Sequence, residues 1–150
     1  MKLKRQILQQ KPKPMRRLPN KQKAIDLALW QNHSYQFNDN YGVVLSAQGD
    51  YLVIKRVHPT FEDFDYEKLP SNHSNMSYKH IKHIRMDDDP LPHWEAIAGT
   101  ISILDGEVLR FILSAKVPLK RFIRYELSCR GYDEHMKWVG FDKAQEIWLR

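Results

Sequence analysis

Two short runs of the chain, Tyr41 to Leu45 and Tyr51 to Val57, are dense in branched and aromatic residues and flank the turn-forming Gln48-Gly49-Asp50. That pattern predicts a β-hairpin. Upstream, Ile25, Ala28 and Leu29 recur at the i, i+3, i+4 spacing of a buried stripe, which Leu27 and Trp30 widen. A helix capped by Asn20 and running to about Asn32, packed on the hairpin, accounts for them. Tyr78, Ile81 and Ile84 return every third residue and favour a short helix over 75–85, with a strand as the alternative. Thr100 to Leu104 reads as a buried strand followed by an Asp105-Gly106 turn, and Val108 to Leu113 fits either a return strand or a helix.

The last third is better punctuated. Pro118 suits the first turn of a helix reaching Arg130, where Gly131 supplies the left-handed residue that stops it. A short strand is expected around Met136 to Val139. Asp142 and Gln145 then stand at capping-box spacing before a final helix whose apolar face is Ala144, Ile147 and Trp148. The elements add up to an α+β fold, a small mainly antiparallel sheet packed by about three to four helices. Residues 20–150 are expected to form one globular domain and residues 1–19 a flexible, extended basic arm. Through Leu18 no apolar period persists, and Pro12, Pro14 and Pro19 favour extended backbone.

Composition supports a packed core. Of 150 residues, 42% are apolar and 28% charged, a profile of folded chains. The one cysteine, Cys129, allows no intrachain disulfide and suggests a reducing, cytoplasmic setting. No apolar run approaches the length of a membrane span, and no secretory leader is evident. Charge changes the picture more. Residues 1–23 hold nine Lys or Arg and no acid, whereas residues 24–150 hold 15 Lys or Arg against 18 Asp or Glu. A cationic leader on a slightly acidic body fits contact with a polyanion.

On that reading the nucleic-acid-binding residues are Lys2, Lys4, Arg5, Lys11, Lys13, Arg16, Arg17, Lys21 and Lys23. Lys120, Arg121 and Arg124 add a second basic stripe, gathered with Ser128 on one side of the 118–130 helix, opposite Leu119, Phe122, Ile123 and Leu127. Glu126 falls within that apolar arc and calls for a partner, which Arg130 supplies one turn later. Tyr132, Trp138, Phe141 and Trp148 crowd the end of the chain; rings beside cations can stack on unpaired bases, although rings at helix boundaries are more often core.

Three further constellations compete. Phe61, Phe64 and Tyr66, interleaved with acids, suit contact with a protein, so a module docking on an acidic protein partner is the alternative function. His73, His80, His83 and His93, with Asp87, Asp88 and Asp89, have the chemistry of metal ligands but match no defined ligand spacing. The three aspartates also raise a metal-dependent nuclease as a minor alternative. No phosphate-binding glycine loop, nucleophile elbow or Cys-His arrangement is present, and Cys129 reads as a small packed residue. The expected protein is therefore an accessory or regulatory binder of RNA, DNA or a ribonucleoprotein, not an enzyme, and needs no cofactor.

Overall fold

Tyr41–Leu45 (β2) and Tyr51–Lys55 (β3), dense in branched residues, form the predicted hairpin. It closes through Ser46, whose carbonyl accepts from Gly49 N–H at 3.0 Å and whose hydroxyl accepts from Gln48 N–H at 3.2 Å. Gly49 takes φ +88°, the left-handed region that such a turn requires. The computed structural model describes residues 16–34, 40–56 and 65–150. Arg16–Leu18 (β1) pairs antiparallel with β3, giving a three-stranded sheet ordered β1-β3-β2.

Lys21–Ser34 (α1) lies on this sheet. Asn20 caps it as expected, its side-chain oxygen accepting from Lys23 N–H at 3.1 Å. Ala24, Ile25, Leu27 and Ala28 are buried, together with Val43, Val44, Leu52, Val53 and Ile54 of the sheet. Trp30 remains exposed, so the apolar face of α1 turns one step from the expected stripe. Asn32 then joins helix to sheet: its carboxamide oxygen accepts from Tyr41 N–H at 2.6 Å and its nitrogen donates to Tyr41 O at 3.2 Å. The amide completes the ladder that β2 lacks on that side.

Tyr66 is architectural. It bridges to Val44, packs on the Val44, Leu52 and Ile54 cluster, and its hydroxyl donates to Arg56 O at 3.4 Å. Glu67 N–H donates to Val43 O at 2.7 Å. Gly42 permits this approach, since a Cβ there would collide with the Tyr66 ring. Of the expected protein-contact set, Tyr66 is thus half-buried against the sheet, and Phe61 and Phe64 lie outside the described residues.

Tyr78–Met86 (α2) is the helix predicted over 75–85 and starts on Ser77, whose hydroxyl accepts from His80 N–H at 3.2 Å. The described residues group into two units, Met1–Ile81 and Lys82–Arg150, with the boundary inside α2. The second unit is helical: Pro92–Ser102 (α3), Gly106–Ser114 (α4), Leu119–Cys129 (α5) and Phe141–Trp148 (α6). Two expectations need correcting here. Thr100 to Leu104 is not a strand but the end of α3 and its C-terminal turn, begun by Pro92 at a first-turn position. Asp105 is no hairpin turn; it caps α4, accepting from Glu107 N–H at 2.8 Å. The strand expected at Met136 to Val139 reduces to a single bridge between Tyr132 and Trp138.

The molecule is an α+β fold: a small antiparallel sheet and six helices among the described residues. No helix of the described residues is long and apolar enough to cross a membrane.

Candidate nucleic-acid interface

A concave feature of the helical unit is built where α5 meets α6. The wheel of α5 is apolar on one side, yet that side is not the one it packs with. Ser128 is buried, Arg124 and Leu127 are half-buried, and Leu119, Phe122 and Ile123 are exposed. Ser128 was expected on the solvated basic stripe and instead lies at the helix contact, with Ala144 of α6 also fully buried. Small residues select that face, because they let two backbones approach closely where larger side chains would hold them apart. Ser128 satisfies its hydroxyl within the helix, donating to Tyr125 O at 2.6 Å.

A tight loop brings α6 into place. Gly131 ends α5 at φ +73°, and a Cβ there would stand 3.0 Å from Trp138 Nε1. Val139 N–H donates to Gly131 O at 2.9 Å. Asp133 accepts from the backbone N–H of His135 at 2.8 Å and of Lys137 at 2.9 Å. The Lys137 N–H bond is the main reason its carboxyl sits below the ordinary 3.8. Gly140, at φ +90°, then precedes α6, so Asp142 occupies the first turn and not the cap.

The result is a groove of about 580 Å³ lined by Arg121, Phe122, Arg124 and Tyr125 from α5 and by Trp148, Leu149 and Arg150. Arg121 and Arg124 stand one turn apart, as do Phe122 and Tyr125, so a cationic rail runs beside an aromatic one. Trp148 is held edge-in by donating Nε1–H to Tyr132 O at 2.7 Å. Phe122 and Tyr125 are 63% and 61% exposed, leaving their faces open for a ligand. Nearby acids are engaged elsewhere: Glu126 with Arg130 at 2.7 Å and Glu146 with Lys143 at 2.8 Å. Among the described residues neither Arg121 nor Arg124 has an acidic partner within 4.0 Å. Lys120 is exposed on the same helix.

The other expected cations are distributed differently. Lys2, Lys4, Arg5, Lys11 and Lys13 lie outside the described residues. Arg16 and Arg17, expected in a free arm, are in β1, with Arg17 4.0 Å from Asp50. Lys21 is neutralised by Glu67 at 2.7 Å, a hydrogen bond that raises the ammonium above its ordinary pKa. Lys23 is half-buried in the first turn of α1. The basic leader therefore yields its last residues to the sheet, because a strand partner was open along β3.

Of the residues with the chemistry of metal ligands, His73 and His80 converge on the buried Asp26, His80 Nε2 at 3.1 Å and His73 Nδ1 at 3.8 Å. His83 is exposed and the His93 ring lies tilted against Trp94, centroids 5.4 Å apart. Asp87 accepts from Asp89 N–H at 2.9 Å in a local turn. Among the described residues no three His, Cys, Asp or Glu side chains are arranged to hold a metal ion, so neither the metal reading nor the nuclease reading gains a centre. Cys129, expected to be packed, is exposed. Glu126 was expected to be buried; its pair with Arg130 forms, but both side chains are open to solvent because the arc around them is.

No protein-family model, curated protein or solved structure matches the chain.

The signal misassigned in the sequence is the set of small residues Ser128, Gly131 and Ala144, read separately as a stripe member, a helix stop and part of an apolar face, which together set the groove. It was in view. What hid it was the larger apolar arc beside it.

Proposed function

We propose that the chain is an accessory nucleic-acid-binding protein that takes single-stranded RNA or DNA in the α5–α6 groove. The observation that supports this most is the pairing of two cations lacking internal counter-charges, Arg121 and Arg124, with two open rings, Phe122 and Tyr125, along one helix. Unpaired nucleotides combine a phosphate with a base face, and sequence-tolerant binding of single strands uses this combination of basic rail and stacking platform. A groove of about 580 Å³ is in the range of clefts that seat a small organic molecule, which suits one or two nucleotides and not a duplex. The cations of residues 2–13 would add long-range attraction.

Fluorescence anisotropy with a labelled single-stranded oligonucleotide, its duplex and a salt series tests this. Single strands should bind more tightly than duplex. Arg121→Ala with Arg124→Ala should flatten the log–log salt slope by about 1.4, two contacts at roughly 0.7 each. Tyr125→Ala should weaken binding by about 1–3 kcal/mol with the salt slope unchanged. Equal binding by the double variant would reject the groove. Preference for an acidic peptide over every oligonucleotide would reassign it to a protein partner.

A further inference from the structure

Of the rings near the end of the chain, Trp148 lines the groove, whereas Trp138 and Phe141 do not. These two are 66% and 58% exposed and meet edge to face, with centroids 6.5 Å apart and planes at 81°. Burial does not account for them. Both rest on Gly131, where a Cβ would stand 3.0 Å from Trp138 Nε1 and 3.4 Å from Phe141 Cδ1. The loop that carries Trp138 is closed on itself: Asp133 N–H donates to Lys137 O at 2.9 Å, and Tyr132 bridges to Trp138. The rings are thus held in place with much of their surface open, as a stacking platform requires.

Helix geometry relates them to the groove. Phe141 and Trp148 are seven residues apart on α6, so they differ by about 20° in azimuth and about 10 Å along the axis. Between them on that side stand Ala144 and Gln145, neither of them charged. The acids of α6 point elsewhere: Asp142 and Glu146 lie about 100° and 140° round from Phe141, and Glu146 is paired with Lys143. Asp133 is engaged by the backbone N–H groups of His135 and Lys137, and Lys137 is exposed beside Trp138. Trp148 is tied to the same loop through Tyr132 O. A span of about 10 Å is some three base steps at the roughly 3.4 Å rise of a stacked strand, and fewer when the strand is stretched.

We propose that Trp138 and Phe141 form a second stacking station for single-stranded RNA or DNA, receiving a base about three nucleotides along from the one in the α5–α6 groove. The proposal rests on the reading of the groove and adds a length requirement to it: a strand too short to span α6 gains nothing from the second pair of rings.

Titration of the full chain with a thymidine dinucleotide and with an oligothymidylate of about eight nucleotides, followed by NMR amide shifts and by anisotropy, tests this. Trp138→Ala combined with Phe141→Ala should weaken the longer probe about tenfold and change the dinucleotide by less than about twofold, whereas Tyr125→Ala should weaken both. Trp138→Phe, which keeps a ring, should restore most of the loss. Absence of binding by the longer probe overturns groove and station together. A longer probe weakened by Tyr125→Ala and indifferent to the paired variant leaves the groove standing and overturns the station, the two rings then being left for a protein partner. Equal weakening of both probes by the paired variant also overturns it, since the rings would then act on the shape of the groove. A longer probe that depends on Trp138 and Phe141 but not on Tyr125 refutes the groove and the continuous path with it. Should the paired variant disturb the loop, seen as a displaced Lys137 amide shift, photocross-linking of an iodouracil-substituted strand of about eight nucleotides to the unaltered chain decides. Adducts must then map to Trp138 or Phe141 as well as to Tyr125 or Trp148, and adducts at the groove alone refute the second station.

Discussion

The two units use similar residues to opposite effect. In the first, Ala24 and Ala28 of α1 and Val43 and Val44 of β2 are wholly out of solvent. In the second, Ile101, Phe111 and Phe122 are half-exposed or more. Apolar content does not separate them; geometry does. A hairpin presents a continuous face that one helix can cover, and Asn32 and Tyr66 fasten the margins. Consecutive helices of about ten residues offer narrow stripes, and these close only where small side chains permit approach, as Ser128 and Ala144 do.

The largest break in this contrast should come from Gly42→Val. The added side chain must displace the Tyr66 ring and with it the bridge to Val44, at a cost of about 3 kcal/mol in urea unfolding. Next come two paired changes. Val43→Ala leaves a void in the first core and Ala144→Leu forces α5 from α6, each at about 2 kcal/mol. Hydrogen exchange should assign the first loss to α1 and the strands, the second to 119–148, and Ala144→Leu alone should weaken oligonucleotide binding.

A smaller effect concerns pH. The Asp133 carboxyl is held below its ordinary 3.8 chiefly by the Lys137 N–H bond. Its contribution to the loop is therefore complete above that value and is lost as pH falls through the lower folded-state one. The Lys137 amide shift should follow this titration, and Asp133→Asn should abolish it. Least of all, Glu126→Ala should change stability by no more than about 0.5 kcal/mol, because its pair with Arg130 is solvated.

Local signals were readable in the sequence. The hairpin, the Asn20 cap, the Gly131 stop and the Glu126–Arg130 pair depend on residues within a few positions of one another. Three other features were not. Thr100 and Ile101 are branched and uncharged, as a buried strand would be, and only Pro92 before them and Asp105 after them mark a helix. The orientation of α5 follows the smallest residues and not the greasiest. The meeting of Asp26 with His80 joins positions 54 apart, which no periodicity announces. For the candidate site, Arg121 and Arg124 were legible as a stripe, while their pairing with Phe122, Tyr125 and Trp148 depended on where α6 returns.

The sheet carries a consequence for how copies of the chain meet. Its β2 border is occupied, with Tyr41 bonded to Asn32 and Val43 to Glu67. Its other border, β1, is three residues long and shows two arginines to water. Among the described residues one rim is taken and the other is short and cationic, so addition of a foreign strand, and with it growth into fibres, is disfavoured.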